Sequence, residues 1–132
     1  MIVVLDASAA VEMALNREYG KPFREILKRA HLVIAPDIFP SEITNAFWKY
    51  AMHNELTPEQ CEKGIGYCLD LIDDYIETKT LCREVFSESL RTKHPSDDLF
   101  YLVLARRNNA SLVTQDKKMI QLGNEMNLPS NN

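Results

Sequence analysis

Four carboxylates stand at comparable places along this 132-residue chain. Asp6 closes Ile2–Leu5, a continuous apolar run rich in β-branched residues, which suits a strand buried on both faces. A lone acid at such a place is costly to ionise and calls for a cation or a hydrogen-bond donor. Glu42 opens the helix predicted after a second strand, Asp98 lies in the first turn of the helix after His94-Pro95, and Asp116 lies just past a fourth strand. In a parallel sheet, strand ends and the starts of the following helices share one edge, where ligands bind. Anions meeting there repel by about 1 kcal/mol per close pair in water and about 4 kcal/mol at an effective dielectric of 20. Raised pKa values or a divalent cation relieve that repulsion. All-oxygen donors with no Cys or His beside them select Mg²⁺ or Mn²⁺ over Zn²⁺. Singly, Glu42 and Asp98 also read as acids meeting a helix dipole, and Asp116 as a turn or cap residue. The joint pattern singles the four out.

The elements that would position them follow from periodicity and caps. A helix capped by Ser8 runs to about Arg17, and a second runs from Pro22 to Ala30. Leu32–Ala35 is a strand, followed by a loop from Pro36 to Pro40 and a helix capped by Ser41 that reaches His53. Thr57-Pro58-Glu59-Gln60 is a capping box with Pro at the first helical position, opening a helix to Asp73 in which Gly64 and Gly66 are weak points. A third strand is predicted over Ile76–Leu81 and a helix over Leu81–Leu90. Ser96 caps a helix to Asn108, Ser111–Thr114 is a fourth strand, and a last helix carries Met119, Ile120 and Leu122. Residues 124–132 are expected to fray. Strands alternating with helices predict one α/β domain over residues 1–132, with a mostly parallel sheet of four or five strands between helical layers.

Composition narrows the class. Hydrophobic residues at 45% and charged residues at 26% are ordinary for a soluble globular protein. A net charge of −4 means that any nucleic-acid partner must be met by a local basic patch. Cys61, Cys68 and Cys82 form no Cys-x-x-Cys, which argues against a disulfide framework or a zinc site and for a reducing, cytoplasmic setting. A strand beginning at residue 2 leaves no room for a leader. The longest apolar run, Leu99–Ala105, falls far short of the roughly 20 residues that span a bilayer, so no membrane association is expected.

Four stretches together are specific: Val3–Val11 (VVLDASAAV), Ser41–Ala46 (SEITNA), His94–Ala105 (HPSDDLFYLVLA) and Leu112–Met119 (LVTQDKKM). In order and spacing they resemble the PIN domain, in particular the VapC-type toxin ribonucleases. The resemblance implies a three-layer α/β/α fold and Mg²⁺- or Mn²⁺-dependent hydrolysis of RNA phosphodiesters. It also implies an antitoxin partner and a homodimer. It carries catalytic, metal-holding roles onto Asp6, Glu42, Asp98 and Asp116, with Ser8, Asn45 and Thr114 as polar supports. Where the family commonly has Tyr before the third acid, this chain has Asp97. Asp97 and Asp98 therefore compete for that role, and Asp98 is preferred because it stands three places before Tyr101. The family's last short strand is replaced here by Leu128-Pro129 and a polar tail.

RNA requires cations, for which Lys49, Lys117 and Lys118 are candidates, whereas Arg106 and Arg107 read as a solvated helix face. Phe47 reads as core, and Trp48, Tyr50 and Met52 suit a core or an interface. His31, His53 and His94 are scattered and read as solvent, helix-end or turn residues. Two other classes stand beside the nuclease. One is a PIN-like module that binds RNA or protein without cutting. The other is a phosphoryl-transfer enzyme with an Asp nucleophile, which commonly needs a second Asp where Ser8 stands.

Overall fold

The computed structural model describes residues 1–131. Its elements follow in the order β1 (Ile2–Leu5), α1 (Ala7–Ala14), a 3₁₀ turn (Glu18–Gly20), α2 (Lys21–Arg29), β2 (Leu32–Pro36), α3 (Phe39–Met52) and α4 (Pro58–Asp70). Then come β3 (Asp74–Ile76), a second 3₁₀ turn (Thr78–Thr80), α5 (Cys82–Thr92), α6 (Ser96–Arg107), β4 (Ser111–Val113) and α7 (Lys117–Glu125). The four strands form one parallel sheet in the order β3-β2-β1-β4. Helices cover both faces, giving the three-layer α/β/α arrangement.

β1 lies inside the sheet, pairing Val3 with Val33 on one side and Val4 with Leu112 on the other. Val3, Val4 and Leu5 are fully buried, as an unbroken apolar strand requires. α6 packs on β1, β2 and β4, flanked by α5 and α7, while α1, α3 and α4 pack on one another. Leu99 and Tyr101–Ala105 of α6 are buried, so the longest apolar run of the chain is a core helix. Phe47 is buried against α4, where a Cβ on Gly64 would stand 2.5 Å from its ring. Glycine there weakens the helix but permits the close approach of α3 and α4. Cys61 and Cys68 are buried beside it, and burial pushes the Cys68 thiol up to about 12.

The sheet order places a topological switch point between β1 and β4. From β1 the chain winds outward through β2 to β3, then returns to the other side of β1. In open α/β sheets a crevice forms outside the carboxyl ends of the strands at such a point.

Several boundaries differ from the sequence-based expectation. α1 is capped by Asp6, not Ser8, and ends at Ala14, with Asn16 in the left-handed region at φ 53°. α3 starts at Phe39, so Ser41 lies inside its first turn; Asp37 closes the preceding turn by donating to Ile76 O and accepting from Thr78 N–H. α4 ends at Asp70, because Asp73 is drawn to β2 through paired hydrogen bonds with Val33. β3 consequently occupies Asp74–Ile76, and Thr78–Thr80 coils into a 3₁₀ turn that delivers Leu81 to the core. The capping box of Thr57 and Gln60 forms as expected. No fifth strand follows α7 among the described residues. The segment expected to fray begins inside α7; beyond it Ser111 Oγ donates to Ser130 O and Asn131 Nδ2 to Leu112 O, laying the chain beside β4. Residue 132 lies outside the described residues.

Candidate active site

Asp6 ends β1 and caps α1 at once, so its carboxylate is held at the sheet edge by the first turn of the next helix. Oδ1 accepts the Ala9 N–H at 3.1 Å and the Ser8 hydroxyl at 2.7 Å; Oδ2 accepts the Thr114 hydroxyl at 2.6 Å. Burial pushes its pKa up to about 6. Hydrogen bonds from Thr114, Ser8 and Ala9 oppose that rise and the charge of Asp98 adds to it. Ser8 and Thr114 are thus supports of Asp6, and they also brace the β4–α7 connection: Ser8 Oγ accepts from Gln115 N–H and Thr114 Oγ1 from Asp116 N–H, each at 3.0 Å.

Glu42, in the first turn of α3, is half-buried and accepts the Tyr101 hydroxyl on Oε1 at 2.5 Å. Its pKa is also raised, first by burial and then by the charges of Asp6, Asp97 and Asp98, against the hydrogen bond from Tyr101. Burial, then Glu42, and then Asp6 and Asp98 push the Tyr101 phenol far up, so it stays protonated and donates. Asp98, in the first turn of α6, meets His94 Nε2 at 2.7 Å through Oδ2. Among the described residues no Lys or Arg pairs with Asp6, Glu42, Asp97 or Asp98.

The structure therefore brings Asp6, Glu42 and Asp98 into one another's field, with Asp97 acting on Glu42. Asp116 caps α7, Oδ1 accepting from Lys118 N–H at 2.8 Å and Met119 N–H at 3.2 Å. Thr114 joins it to Asp6, its hydroxyl accepting from Asp116 N–H and donating to Asp6 Oδ2. Lys117 and Lys118 are exposed at the start of α7. A groove of ≈ 470 Å³ between α1 and α3 is lined by Ser8, Glu42, Asn45, Lys49 and Gln115, so Asn45 and Lys49 lie beside Glu42.

The PIN domain family matches residues 3–125, from β1 through α7. The chain belongs to the PIN domain family. PIN domains are typically nucleases acting on nucleic acids, and they generally use divalent metal ions. Among curated proteins none matches the chain. No helix among the described residues is long and apolar enough to cross a membrane.

In this PIN domain no three carboxylate, imidazole or thiol side chains among the described residues converge into a ready-made metal cage. Mg²⁺ does not require one: it keeps several waters and takes one or two carboxylates together with substrate phosphates. Glu42 Oε2 and Asp98 Oδ1 accept no hydrogen bond from the described residues, and Asp6 Oδ2 accepts only one. Hard oxygens unpaired with Lys or Arg, with Asp6 and Glu42 pushed up by burial and by neighbouring acids, fit a divalent ion. Two residues of this arrangement escaped the sequence reading. His94, which reads as a solvent, helix-end or turn residue, does lie in the connection before α6, but its ring turns back onto Asp98 in the first turn of that helix. Tyr101 served only to mark a register. A buried tyrosine needs an acceptor, but nothing local says that the acceptor is Glu42, 59 residues away.

Proposed function

We propose that this chain is a metal-dependent endoribonuclease that hydrolyses RNA phosphodiesters in the cytoplasm, as the toxin of a toxin–antitoxin pair. The observation that supports it best is the set of three carboxylates from separate elements, Asp6, Glu42 and Asp98, which share a field with no Lys or Arg among the described residues paired to them.

In this reading Asp6, Glu42 and Asp98 hold Mg²⁺ or Mn²⁺. A divalent ion held there would supply positive charge against a scissile phosphate and would acidify a water. The chain's own groups do the positioning. Ser8, Thr114 and the Ala9 N–H fix the Asp6 carboxylate; Tyr101 turns one oxygen of Glu42 inward and leaves the other open; His94 does the same for Asp98. Asn45 and Lys49 offer an amide and a cation beside Glu42 for the RNA backbone, and Lys117 and Lys118 offer two more cations beyond β4. Asp116 orders the β4–α7 turn through its cap and backs Thr114. A second copy of the chain and an antitoxin belong to the same reading. Phe86 and Leu90, one turn apart on α5 and each 65% exposed, offer an apolar patch for such pairing.

The test is cleavage of mixed single-stranded RNA with Mg²⁺ or Mn²⁺, run against EDTA and an Asp6→Asn variant. Cleavage is expected only in the wild-type protein with metal, leaving 5′-phosphate and 3′-hydroxyl ends. Cutting that persists in EDTA or in the variant would end the metal-nuclease reading. RNA binding that is identical in wild type and variant, with no cutting in either, would support the non-catalytic module instead.

A further inference from the structure

α3 carries more than Glu42 and the groove beside it. Trp48 is 57% exposed, although an indole has much apolar surface to hide. Beside it lies a shallow depression of ≈ 510 Å³ walled by Pro40, Ser41, Thr44 and Asn45. Asn45 also lines the groove that contains Glu42, so depression and groove adjoin across that residue. No charged side chain among the described residues walls the depression. The Ser41 hydroxyl and the Asn45 amide have no hydrogen-bond partner among the described residues. Thr44 Oγ1 donates to Pro40 O at 2.8 Å and keeps only its acceptor capacity. One aromatic face rimmed by exposed neutral donors and acceptors that no other protein group claims matches a flat, uncharged ring with a polar edge. Lys49, the next residue along α3, lies on the groove side, where a phosphate attached to that ring would run.

We propose that Trp48 is a stacking platform for a nucleobase of the RNA substrate, and that Ser41, Thr44 and Asn45 form the rim of a base subsite adjoining the acidic groove. This rests on the nuclease reading above and extends it from phosphate chemistry to base recognition. Aromatic stacking tolerates any base, so the subsite strengthens binding of single strands without dictating sequence. A duplex, whose bases are already stacked on one another, gains nothing from it.

Trp48 is the sole tryptophan of the chain, so its emission reports on the subsite directly. The wild-type protein in EDTA is titrated with a dye-labelled, mixed-sequence, single-stranded oligoribonucleotide, recording tryptophan emission and dye anisotropy together. Quenching that saturates in step with anisotropy is expected. Trp48→Ala should weaken binding by at least about fivefold, Trp48→Phe should retain most of it, and an abasic oligonucleotide should bind without quenching. Binding seen by anisotropy with emission unmoved, or equal affinity in Trp48→Ala, overturns the proposal. Met52, one turn on and 61% exposed, widens the apolar face. Emission that shifts with protein concentration alone and ignores RNA would therefore assign this face to a second copy and overturn the base subsite. A parallel cleavage assay separates the failures: divalent-dependent cutting with emission unmoved sinks the subsite alone, whereas RNA neither bound nor cut sinks the nuclease reading with it.

Discussion

The two ends of the α6 region hold carboxylates of opposite character. At the C-terminal end, Arg106 pairs with Glu84 at 2.9 Å and with Glu88 at 3.3 Å, and Arg107 reaches Glu84 at 3.1 Å. Burial pushes Glu84 up, but hydrogen bonds from both arginines overcome it and hold the group below the usual carboxylate range. Hydrogen bonds from Arg91 and then Arg106 do the same for Glu88. At the N-terminal end, Asp98 joins Asp6 and Glu42, whose donors are hydroxyls and a backbone N–H, and both groups are pushed up. The residue types are the same; the difference is whether a guanidinium is within reach. Paired acids tie helices together, and unpaired acids await a cation from outside the chain.

The sharpest way to break this comparison is to remove the unpaired charge itself. Asp6→Asn keeps the α1 cap, since an amide oxygen can still accept from Ala9, but removes the carboxylate. Activity is expected to fall by more than about 100-fold, beyond the 10–100-fold that outer partners of a metal ligand carry. Stability should move the other way. The folded pKa of Asp6, about 6, lies above its ordinary 3.8, so the folded chain holds that proton more tightly than the unfolded one. Its stabilising contribution is complete below pH 3.8 and is lost as pH rises through about 6, a swing on the order of 3 kcal/mol. Thermal unfolding should therefore show Asp6→Asn more stable than wild type at pH 8, by about 5–10 °C, with the gap closing near pH 4. Equal melting temperatures at pH 8 would mean that Asp6 is not held at a cost.

Next in size is loss of the donors. Tyr101→Phe keeps the buried ring and removes the hydroxyl, and His94→Ala frees Asp98. Each should lower activity and Mn²⁺ affinity by about 10- to 100-fold while the chain stays folded. Because the Tyr101 hydrogen bond lowers the pKa of Glu42, its loss should shift the acid limb of the pH–rate profile to higher pH. A packing role alone would leave that limb in place. The smallest effect belongs to the paired end. Arg106 is partly exposed, so Arg106→Met should cost less than about 1 kcal/mol of stability in urea unfolding and leave cleavage unchanged. A large loss of cleavage there would erase the distinction between the two ends.

Much of this was legible in the chain. The apolar run before Asp6 identified an inner parallel strand, the Thr57–Gln60 box opened α4, and Leu99–Ala105 was a core helix, because neighbouring residues carry those signals. β3 was misplaced by local propensity: Thr78 and Thr80 look strand-like, yet Asp73 pairs with Val33, 40 residues away, and sets the register earlier.

The sequence by itself determined that acids stand at strand ends and helix starts of a parallel α/β fold, since periodicity and capping are contests among residues a few places apart. Only the tertiary structure decided which acids share a field. It set Asp6, Glu42 and Asp98 in one field, tied Asp116 to Asp6 through Thr114, and gave Tyr101 to Glu42. Electrostatic and hydrogen-bond energies depend on separation through space, and for residues tens of positions apart that separation is set by strand order and helix packing.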